Sequence, residues 1–167
     1  DVYHALGGLD KDLYAHMEEV DLCWRMKNAG YRIAYCGEST VYHIGGSVIS
    51  YGSPQKIFYN YRNSLILLLK NLPSSKLIWL LPWRLILDGI SGFRSILNGD
   101  WKEVKAILKA HFSFYSTFGM WLAKRKESQK LITHPTQNGV YTKSIVGAYF
   151  LQGKKLFSQL DINPNEL

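Results

Sequence analysis

The segment from Leu77 to Leu97 constrains the fold of this chain more than any other stretch. It is strongly apolar over roughly the 20 residues that a membrane-spanning helix needs. However, Pro82 interrupts it, and Arg84 and Asp88 lie near its middle. Two charges at the centre of a bilayer cost several kcal/mol. The sequence therefore predicts a helix that packs against protein or lies at a membrane interface rather than one that spans the membrane.

Helical patterns also surround that segment. A helix is predicted to begin at Pro54 and to end before Pro73, because proline is tolerated in the first turn of a helix but disrupts its interior. Asp100 and Glu103 form an N-terminal capping pattern for a further helix. Apolar residues then recur at steps of three and four, as on a packing face: Trp101, Val104, Leu108, His111, Tyr115, Phe118 and Leu122. We therefore interpret residues 51–127 as a helical extension.

Residues 1–50 have a different pattern, in which helix and strand signals alternate. A short helix is predicted at the start of the chain, and a second one from about Glu18 to Ala29. Two short strands are predicted at Tyr31–Cys36 and Thr40–Ile44. This alternation is typical of the end of an α/β domain.

The charge balance restricts the classes of partner. The chain carries 20 lysine and arginine residues against 13 aspartate and glutamate residues, for a formal net charge of +7. No zinc-finger or aromatic RNA-binding pattern is present, and the longest basic run is Lys124–Lys126, so nucleic acid is not a predicted partner. A basic balance beside tryptophan-rich helices fits an anionic membrane surface better. Acidic ligands such as nucleotide diphosphates, or simply a high isoelectric point, stay open as alternatives.

The two cysteines bear on the compartment. Cys23 and Cys36 lack the spacing of metal ligands. We interpret them as reduced, buried thiols in a cytoplasmic protein, with a bridge between them as the alternative.

Glu18, Glu19 and Asp21 place three carboxylates in the first turn of the second predicted helix. A carboxylate that is held beside a bound substrate can act as a general base toward a hydroxyl. Alternatively, the three acids only complement the positive end of the helix dipole. Glu18 and Glu19 lie about 100° apart around a helix, so at most one of them faces a given pocket. His16 directly precedes these acids and could line the same pocket.

Two further positions carry polar side chains that could bind a ligand. His43 ends a predicted strand before Gly45 and Gly46, where a histidine can ligate a metal or contact a phosphate. A hydrogen-bonded, half-buried histidine is the alternative there. Arg62 and Asn63 interrupt an otherwise apolar helix. A buried arginine needs an anionic partner, either a ligand phosphate or, as we favour, an internal carboxylate.

Three blocks of this sequence together resemble one known family. They read GGLDKDLYAHMEEVDLCWRMKNAGY, YRIAYCGESTVYHIGGS and YNYRNSLILLLKNLP. The resemblance is to the C-terminal half of bacterial family 2 glycosyltransferases, in particular the rhamnosyltransferase-like members that build cell-surface polysaccharide. It covers residues 1–72 well and weakens to a general helical pattern beyond them.

That resemblance implies a nucleotide-sugar-binding α/β fold, called GT-A, and inversion at the anomeric carbon by one direct displacement. Glu19 falls at the position of the family's general base, where aspartate is usual, and Glu18 is the other candidate. The resemblance matches His43 to a histidine that helps to hold the divalent metal or the donor diphosphate in some relatives. It also implies an acceptor-side loop that contains Gly7, Gly8, Leu9 and Asp10.

The family's nucleotide-binding half, with its metal-binding Asp-x-Asp motif, would precede residue 1. We therefore expect the isolated chain to be inactive. A divalent cation, Mn²⁺ or Mg²⁺, is expected to bind only together with that half.

The predicted fold is thus an α/β remnant over residues 1–50, the C-terminal portion of a GT-A nucleotide-sugar transferase domain. A mainly α-helical extension follows over residues 51–127, and contact of this extension with a membrane is left open. Residues 128–167 are predicted to form a polar linker and a tail helix. The predicted function is sugar transfer from a nucleotide-sugar donor to a hydroxyl of a polysaccharide or lipid-linked acceptor, in the cytoplasm or peripherally on the inner face of the cell membrane. The alternative is a non-catalytic helical module for membrane docking or protein interaction.

Overall fold

Helices supply all of the regular secondary structure in the part of the chain that the structure describes. The computed structural model describes residues 1–42, 49–50, 52–132, 141 and 143–160. The helices are α1 (Val2–Ala5), α2 (Glu18–Asn28), α3 (Pro54–Asn71), α4 (Ser74–Leu97), α5 (Trp101–Ser116), α6 (Phe118–Lys130) and α7 (Ile145–Phe150), followed by a 3₁₀ turn at Phe157–Gln159. The chain divides into two compact units, residues 1–134 and 135–167.

The predicted α/β remnant is wrong for the residues that can be compared. Residues 31–42 contain no strand, and every one of them is exposed. The predicted strand Tyr31–Cys36 is therefore absent, and so is the described part of the strand Thr40–Ile44, whose last two residues lie outside the described ranges. A strand is stable only where neighbouring strands pair with its backbone and a core covers one face. The described part of residues 1–50 offers neither, whereas the prediction of a mainly helical extension is confirmed.

The boundaries of α3 and α5 follow from their caps. The Ser53 hydroxyl accepts a hydrogen bond from the backbone N–H of Lys56 (3.2 Å), and Pro54 occupies the first helical position. The Asp100 carboxylate accepts from the backbone N–H of Glu103 (3.0 Å), which confirms the predicted cap of α5. Both caps satisfy backbone donors that a helix start leaves without an intrahelical partner.

Helix α4 is longer than its sequence suggested. It runs for 24 residues and continues through Pro82, which was predicted to interrupt it. Proline removes one backbone hydrogen bond from a helix. Packing of Leu77, Leu81 and Leu85 against the core offsets that loss. None of the helices in the described ranges is both long enough and apolar enough to cross a bilayer.

The core of the first unit is built around α3, which packs against α2, α4, α5 and α6. Six buried side chains form it: Leu13, Leu65, Ile66, Leu69, Phe114 and Trp121. Leu13 comes from the loop between α1 and α2 and is completely buried. The loop is thereby fixed to the helical core by its own apolar side chain.

The buried face of α5 differs from the predicted one. Val104, Ala106, Ile107, Ala110 and Phe114 are buried, whereas the predicted packing residues Trp101, Leu108 and Tyr115 are exposed. Apolar residues cover two neighbouring sides of this helix. A periodicity of three and four fits both sides, and only the tertiary packing selects one of them.

The second unit contains one short helix. Ser144 caps α7 by accepting from the backbone N–H of Gly147 (3.0 Å), and the helix ends after six residues. Gly153 follows with a φ of +67°, a left-handed conformation that is common just after a helix and that glycine adopts at little cost. The predicted tail helix is therefore confined to Ile145–Phe150 within residues 141–160.

Candidate functional site

The loop between α1 and α2 is the most strained backbone in the described structure. Tyr14, His16 and Met17 have φ values of 66°, 65° and 72°, and these are the described non-glycine residues with positive φ. Each such residue costs on the order of 1 kcal/mol or more. Strain of this kind persists only where surrounding contacts over-determine it, and it often marks a functional site.

Asn63 of α3 supplies those contacts. Its Nδ2 lies within hydrogen-bond distance of the carbonyl oxygens of Leu13 (3.1 Å), Ala15 (2.8 Å) and His16 (2.7 Å). Its Oδ1 accepts from Nε of Arg62 (2.9 Å), which fixes the orientation of the amide. A single buried side chain thus contacts three carbonyl oxygens within four residues of the loop.

Arg62 holds the same loop. Its guanidinium donates to the carbonyl oxygens of Asp12 (3.1 Å) and Leu13 (2.9 Å), and it stacks over the rings of Phe58 and Tyr59. Burial lowers the pKa of Arg62 from its ordinary value, against the opposing charge of Asp12. Backbone carbonyls and aromatic faces are therefore its direct contacts, and the internal carboxylate of Asp12 acts on it through its charge.

The loop leads directly into the predicted catalytic acids. Met17 is the N-cap of α2 and makes no side-chain capping bond, and Glu18 and Glu19 are the first two helical residues. Glu19 is exposed, and Glu18 is partly buried. Among the described residues, Glu18 Oε2 and His16 Nε2 are buried without a hydrogen-bond partner. The start of α2 therefore holds one carboxylate oxygen and one imidazole nitrogen that are shielded from solvent and lack a hydrogen-bond partner.

Asp21 has a different role from its neighbours. It is completely buried, and its carboxylate accepts from Arg25 Nε, Lys70 Nζ and Asn71 Nδ2, each at 2.9 Å. A pair four residues apart on a helix commonly lies on the surface, but the Asp21–Arg25 pair is buried. Arg25 also donates to the carbonyl oxygens of Leu6 and Gly8 (2.6 Å for Gly8), so it binds the end of α1 to α2.

The four residues that were predicted to shape the acceptor side lie together along a groove of about 650 Å³. These are Gly7, Gly8, Leu9 and Asp10, and Lys11, Lys70 and Lys124 contribute to the same groove. Gly7 and Gly8 have φ values of +80° and +63°, a conformation that favours glycine. Glu18, Glu19 and His16 are not among its lining residues. The structure therefore divides the predicted residues between this groove and the start of α2.

Ion pairs dominate the floor of that groove. Asp10 accepts from Lys70 Nζ (2.7 Å) and contacts Lys124 Nζ, which also lies 2.6 Å from Asp12. Burial acts to raise the pKa of Asp10, but the hydrogen bonds from Lys124 and Lys70 outweigh it and lower that pKa to about 2. The same bonds raise the pKa of Lys124 against the opposing effect of burial. Lys70 and Lys124 are therefore each paired with a carboxylate in this part of the groove.

Asp10 and Asp12 have the Asp-x-Asp spacing that family 2 glycosyltransferases use for their metal, so the expectation that this motif occurs only before residue 1 is wrong for the spacing. In the structure, the Lys124 ammonium contacts both carboxylates. Where the chain is described, no group of three or more histidine, cysteine, aspartate or glutamate side chains could hold a metal. The described residues therefore do not fit a metal site by themselves. His43, the predicted metal ligand, lies outside the described residues.

Lys70, Lys124 and the loop contacts of Asn63 were not predicted from the sequence. Lys70 stands within the apolar run ILLLKNLP, and a lone lysine in such a run is a signal for a buried ion pair. Lys124 belongs to the basic run Lys124–Lys126, which gives no comparable signal. Its partner Asp10 is 114 positions away in the chain.

Comparisons with known proteins do not identify a function for this chain. No protein-family model, curated protein or solved structure matches the chain. The resemblance to family 2 glycosyltransferases therefore stays a prediction. Any assignment of function depends on the loop, the acids and the groove described above.

Proposed function

We propose that this chain is the C-terminal part of an inverting glycosyltransferase. It would help to move a sugar from a nucleotide-sugar donor to a hydroxyl of a polysaccharide or lipid-linked acceptor. The observation that carries the proposal is the strained loop at Tyr14, His16 and Met17, which α3 holds rigidly and which ends at two carboxylates. Rigid positioning of a carboxylate is what general-base catalysis requires.

The proposed step needs one proton acceptor. The acceptor hydroxyl oxygen forms a bond to the anomeric carbon, the bond from that carbon to the donor diphosphate breaks, and the hydroxyl proton passes to a carboxylate. We assign this role to Glu19, which is exposed and so accessible to an incoming glycan. Glu18 lies beside it at the start of α2 and is the other candidate.

The donor would bind mainly to residues that precede Asp1, in line with the resemblance. A divalent cation, Mn²⁺ or Mg²⁺, would belong to that part of the protein. The groove at Gly7, Gly8, Leu9 and Asp10 would receive a part of the acceptor away from the reacting hydroxyl, because Glu19 does not line it. Its ammonium and carboxylate groups could bind sugar hydroxyls there.

The test uses the full-length gene product, including any residues that precede Asp1, with a panel of nucleotide sugars and lipid-linked acceptors. We expect Glu19→Gln to lower kcat by about 10²-fold or more, as loss of a general base does, while donor binding is unchanged. Glu18→Gln should have a smaller effect. The matched control is Glu103→Gln, because Glu103 also lies in the first turn of a helix.

Two outcomes would contradict the proposal. Unchanged turnover in both Glu18→Gln and Glu19→Gln would leave the acids as helix-dipole partners and favour a non-catalytic module. Transfer activity of the isolated 167-residue chain would show that no upstream donor-binding part is needed. Glu103→Gln should match the parent protein in either case.

A further inference from the structure

Helix α4 is apolar on two opposite sides. Leu77, Leu81 and Leu85 face the core. On the other side, six apolar residues recur at alternating steps of four and three: Trp79, Trp83, Ile86, Ile90, Phe93 and Leu97. All six are exposed, by 76% at Trp79 and 72% at Leu97. We refer to these six residues as the α4 stripe. A helix in contact only with water and one core does not need a second apolar side.

Helix α5 carries a shorter stripe of the same kind. Trp101, Leu108, Phe112 and Tyr115 are exposed, with Phe112 at 76%. An apolar groove of about 500 Å³ separates the two stripes, and Phe93, Leu108 and Tyr115 lie along it. Gly89 and Gly92 keep the α4 side of the groove open, since neither has a side chain to fill it. The two stripes and the groove form one continuous surface, which we call the outer face.

Basic residues border the outer face. Lys76 lies three positions before Trp79, and Arg94 lies three positions before Leu97. Each cation is therefore rotated about 60° around the helix from the α4 stripe, on the side away from the groove. On α5, Lys102, Lys105 and Lys109 lie on the side away from the groove, beside the start of α3. Apolar surface therefore lies at the centre and cations lie along both edges.

Acidic residues do not balance these cations. Together α4 and α5 contain six lysine or arginine residues and two acids, Asp88 and Glu103. Asp88 is buried, and its carboxylate oxygens lie 2.7 Å from Arg84 and 3.1 Å from His111. It therefore contributes no exposed negative charge to the surface.

We propose that the outer face binds the surface of an anionic phospholipid membrane. The stripes would enter the boundary between headgroups and acyl chains, and the bordering lysines and Arg94 would contact headgroup phosphates. Tryptophan suits this depth because its ring is apolar and its N–H is polar. A second copy of the chain fits this face less well, because a two-fold pairing would bring the same cations together without acids to oppose them.

This proposal does not depend on catalysis. A protein that attaches to membranes in this way could transfer sugars or merely dock. The vesicle experiment below and the transfer assay above therefore succeed or fail separately.

The test measures co-sedimentation of the 167-residue chain with vesicles. Phosphatidylcholine vesicles are compared with vesicles that contain phosphatidylcholine and 30% phosphatidylglycerol, at about 50 mM and 500 mM NaCl. We expect binding to the anionic vesicles at low salt and at least about tenfold weaker partitioning at high salt, because salt screens charge attraction. Brominated lipids should also quench the tryptophan fluorescence, since exposed Trp79, Trp83 and Trp101 would lie at acyl-chain depth.

Matched variants locate the binding surface. Ile86→Ser with Ile90→Ser should lower partitioning by about tenfold or more through lost apolar burial, whereas Ile33→Ser, also exposed but outside the helices, should not. Lys105→Glu with Lys109→Glu should abolish the preference for anionic vesicles. Arg32→Glu with Lys126→Glu changes the net charge equally on other exposed positions and should leave most of that preference.

Three results would overturn the proposal. The first is no binding to anionic vesicles at low salt. The second is full binding by both outer-face double variants. The third combines no vesicle binding with a dimer of the parent chain in light scattering, which Ile86→Ser with Ile90→Ser converts to a monomer. That result would assign the outer face to a second copy of the chain.

Discussion

The side-chain nitrogen of Asn63 lies 2.7 Å from the carbonyl oxygen of His16, 47 positions earlier in the chain. Through this contact the middle of α3 determines the backbone path that ends at Glu18 and Glu19. The geometry of the candidate catalytic acids therefore depends on a buried amide that contacts neither of them.

Replacing Asn63 by alanine should destabilise the protein and disturb the loop. The change leaves the carbonyl oxygens of Leu13, Ala15 and His16 without this donor in a buried setting, at a cost of about 1–3 kcal/mol. Urea unfolding at neutral pH measures the change in the free energy of unfolding. Asn60→Ala is the matched control, because Asn60 lies one turn earlier on α3 and is only partly buried. Equal effects of the two substitutions would show that the loop does not need Asn63.

Asp10 should make stability depend on pH in the acid range. Its pKa is about 2 in the folded protein against an ordinary value of 3.8, so the unfolded chain binds the proton first as the pH falls. The stabilisation is fully present above about pH 4 and is lost as the pH falls through about 2. Unfolding free energies measured between pH 2 and pH 6 should show this decline, and Asp10→Asn should make it shallower.

A second substitution identifies the cause of that pH dependence. Lys124→Met removes one of the two ammonium groups that hold Asp10 ionised. The pKa of Asp10 should then rise toward its ordinary value, so the acid decline in stability should become smaller and end at a higher pH. An unchanged pH profile in both variants would show that Asp10 does not carry the effect.

Asp21→Ala should be among the most damaging single substitutions. It leaves Arg25 and Lys70 buried without their shared carboxylate, and breaking a buried ion pair costs about 3–5 kcal/mol. Thermal and urea unfolding measure the loss. Glu127→Gln is the control, because the Glu127–Lys130 pair is exposed and should contribute far less. A small effect of Asp21→Ala would mean that Asp10 alone neutralises Lys70.

Arg125→Met should loosen the junction of α3 and α4. The Arg125 guanidinium donates to the carbonyl oxygens of Leu69 and Leu72 (2.7 Å for Leu72) and to the Ser74 hydroxyl (3.0 Å). Losing these bonds should cost about 2 kcal/mol or more, since they are charged hydrogen bonds to buried groups. Lys126→Met, on the exposed neighbour, is the control in the same unfolding assay. Equal stability of the two variants would contradict this role.

Local signals predicted the helices well. The cap at Asp100 and the prolines near the helix ends act within one turn, so the sequence alone reveals them. The strand at Tyr31–Cys36 failed because a strand depends on partners elsewhere in the chain. The packing face of α5 was misplaced because two of its sides are apolar and only the tertiary fold distinguishes them.

The candidate site was harder to predict because its contacts are distant in sequence. Lys70 and Asp10 are 60 positions apart, and Asn63 reaches its loop carbonyls across about 50. Arg62 was identified as a cation that needs an internal partner, but most of its hydrogen bonds go to backbone carbonyl oxygens, which have no signature in a sequence. The placement of Glu18 and Glu19 at the start of a helix was correct because helix starts are local.

Charge pairing across the groove also limits how this chain can be rearranged. Asp10 and Asp12 belong to the first loop, whereas Lys70 and Lys124 belong to α3 and α6. A chimera that joins the first 30 residues to a foreign scaffold would leave Asp10 and Asp12 without their counter-ions. A truncated chain that starts after residue 50 would leave Lys70 and Lys124 without theirs. Recombinant chimeras should therefore keep the loop and the helical bundle together.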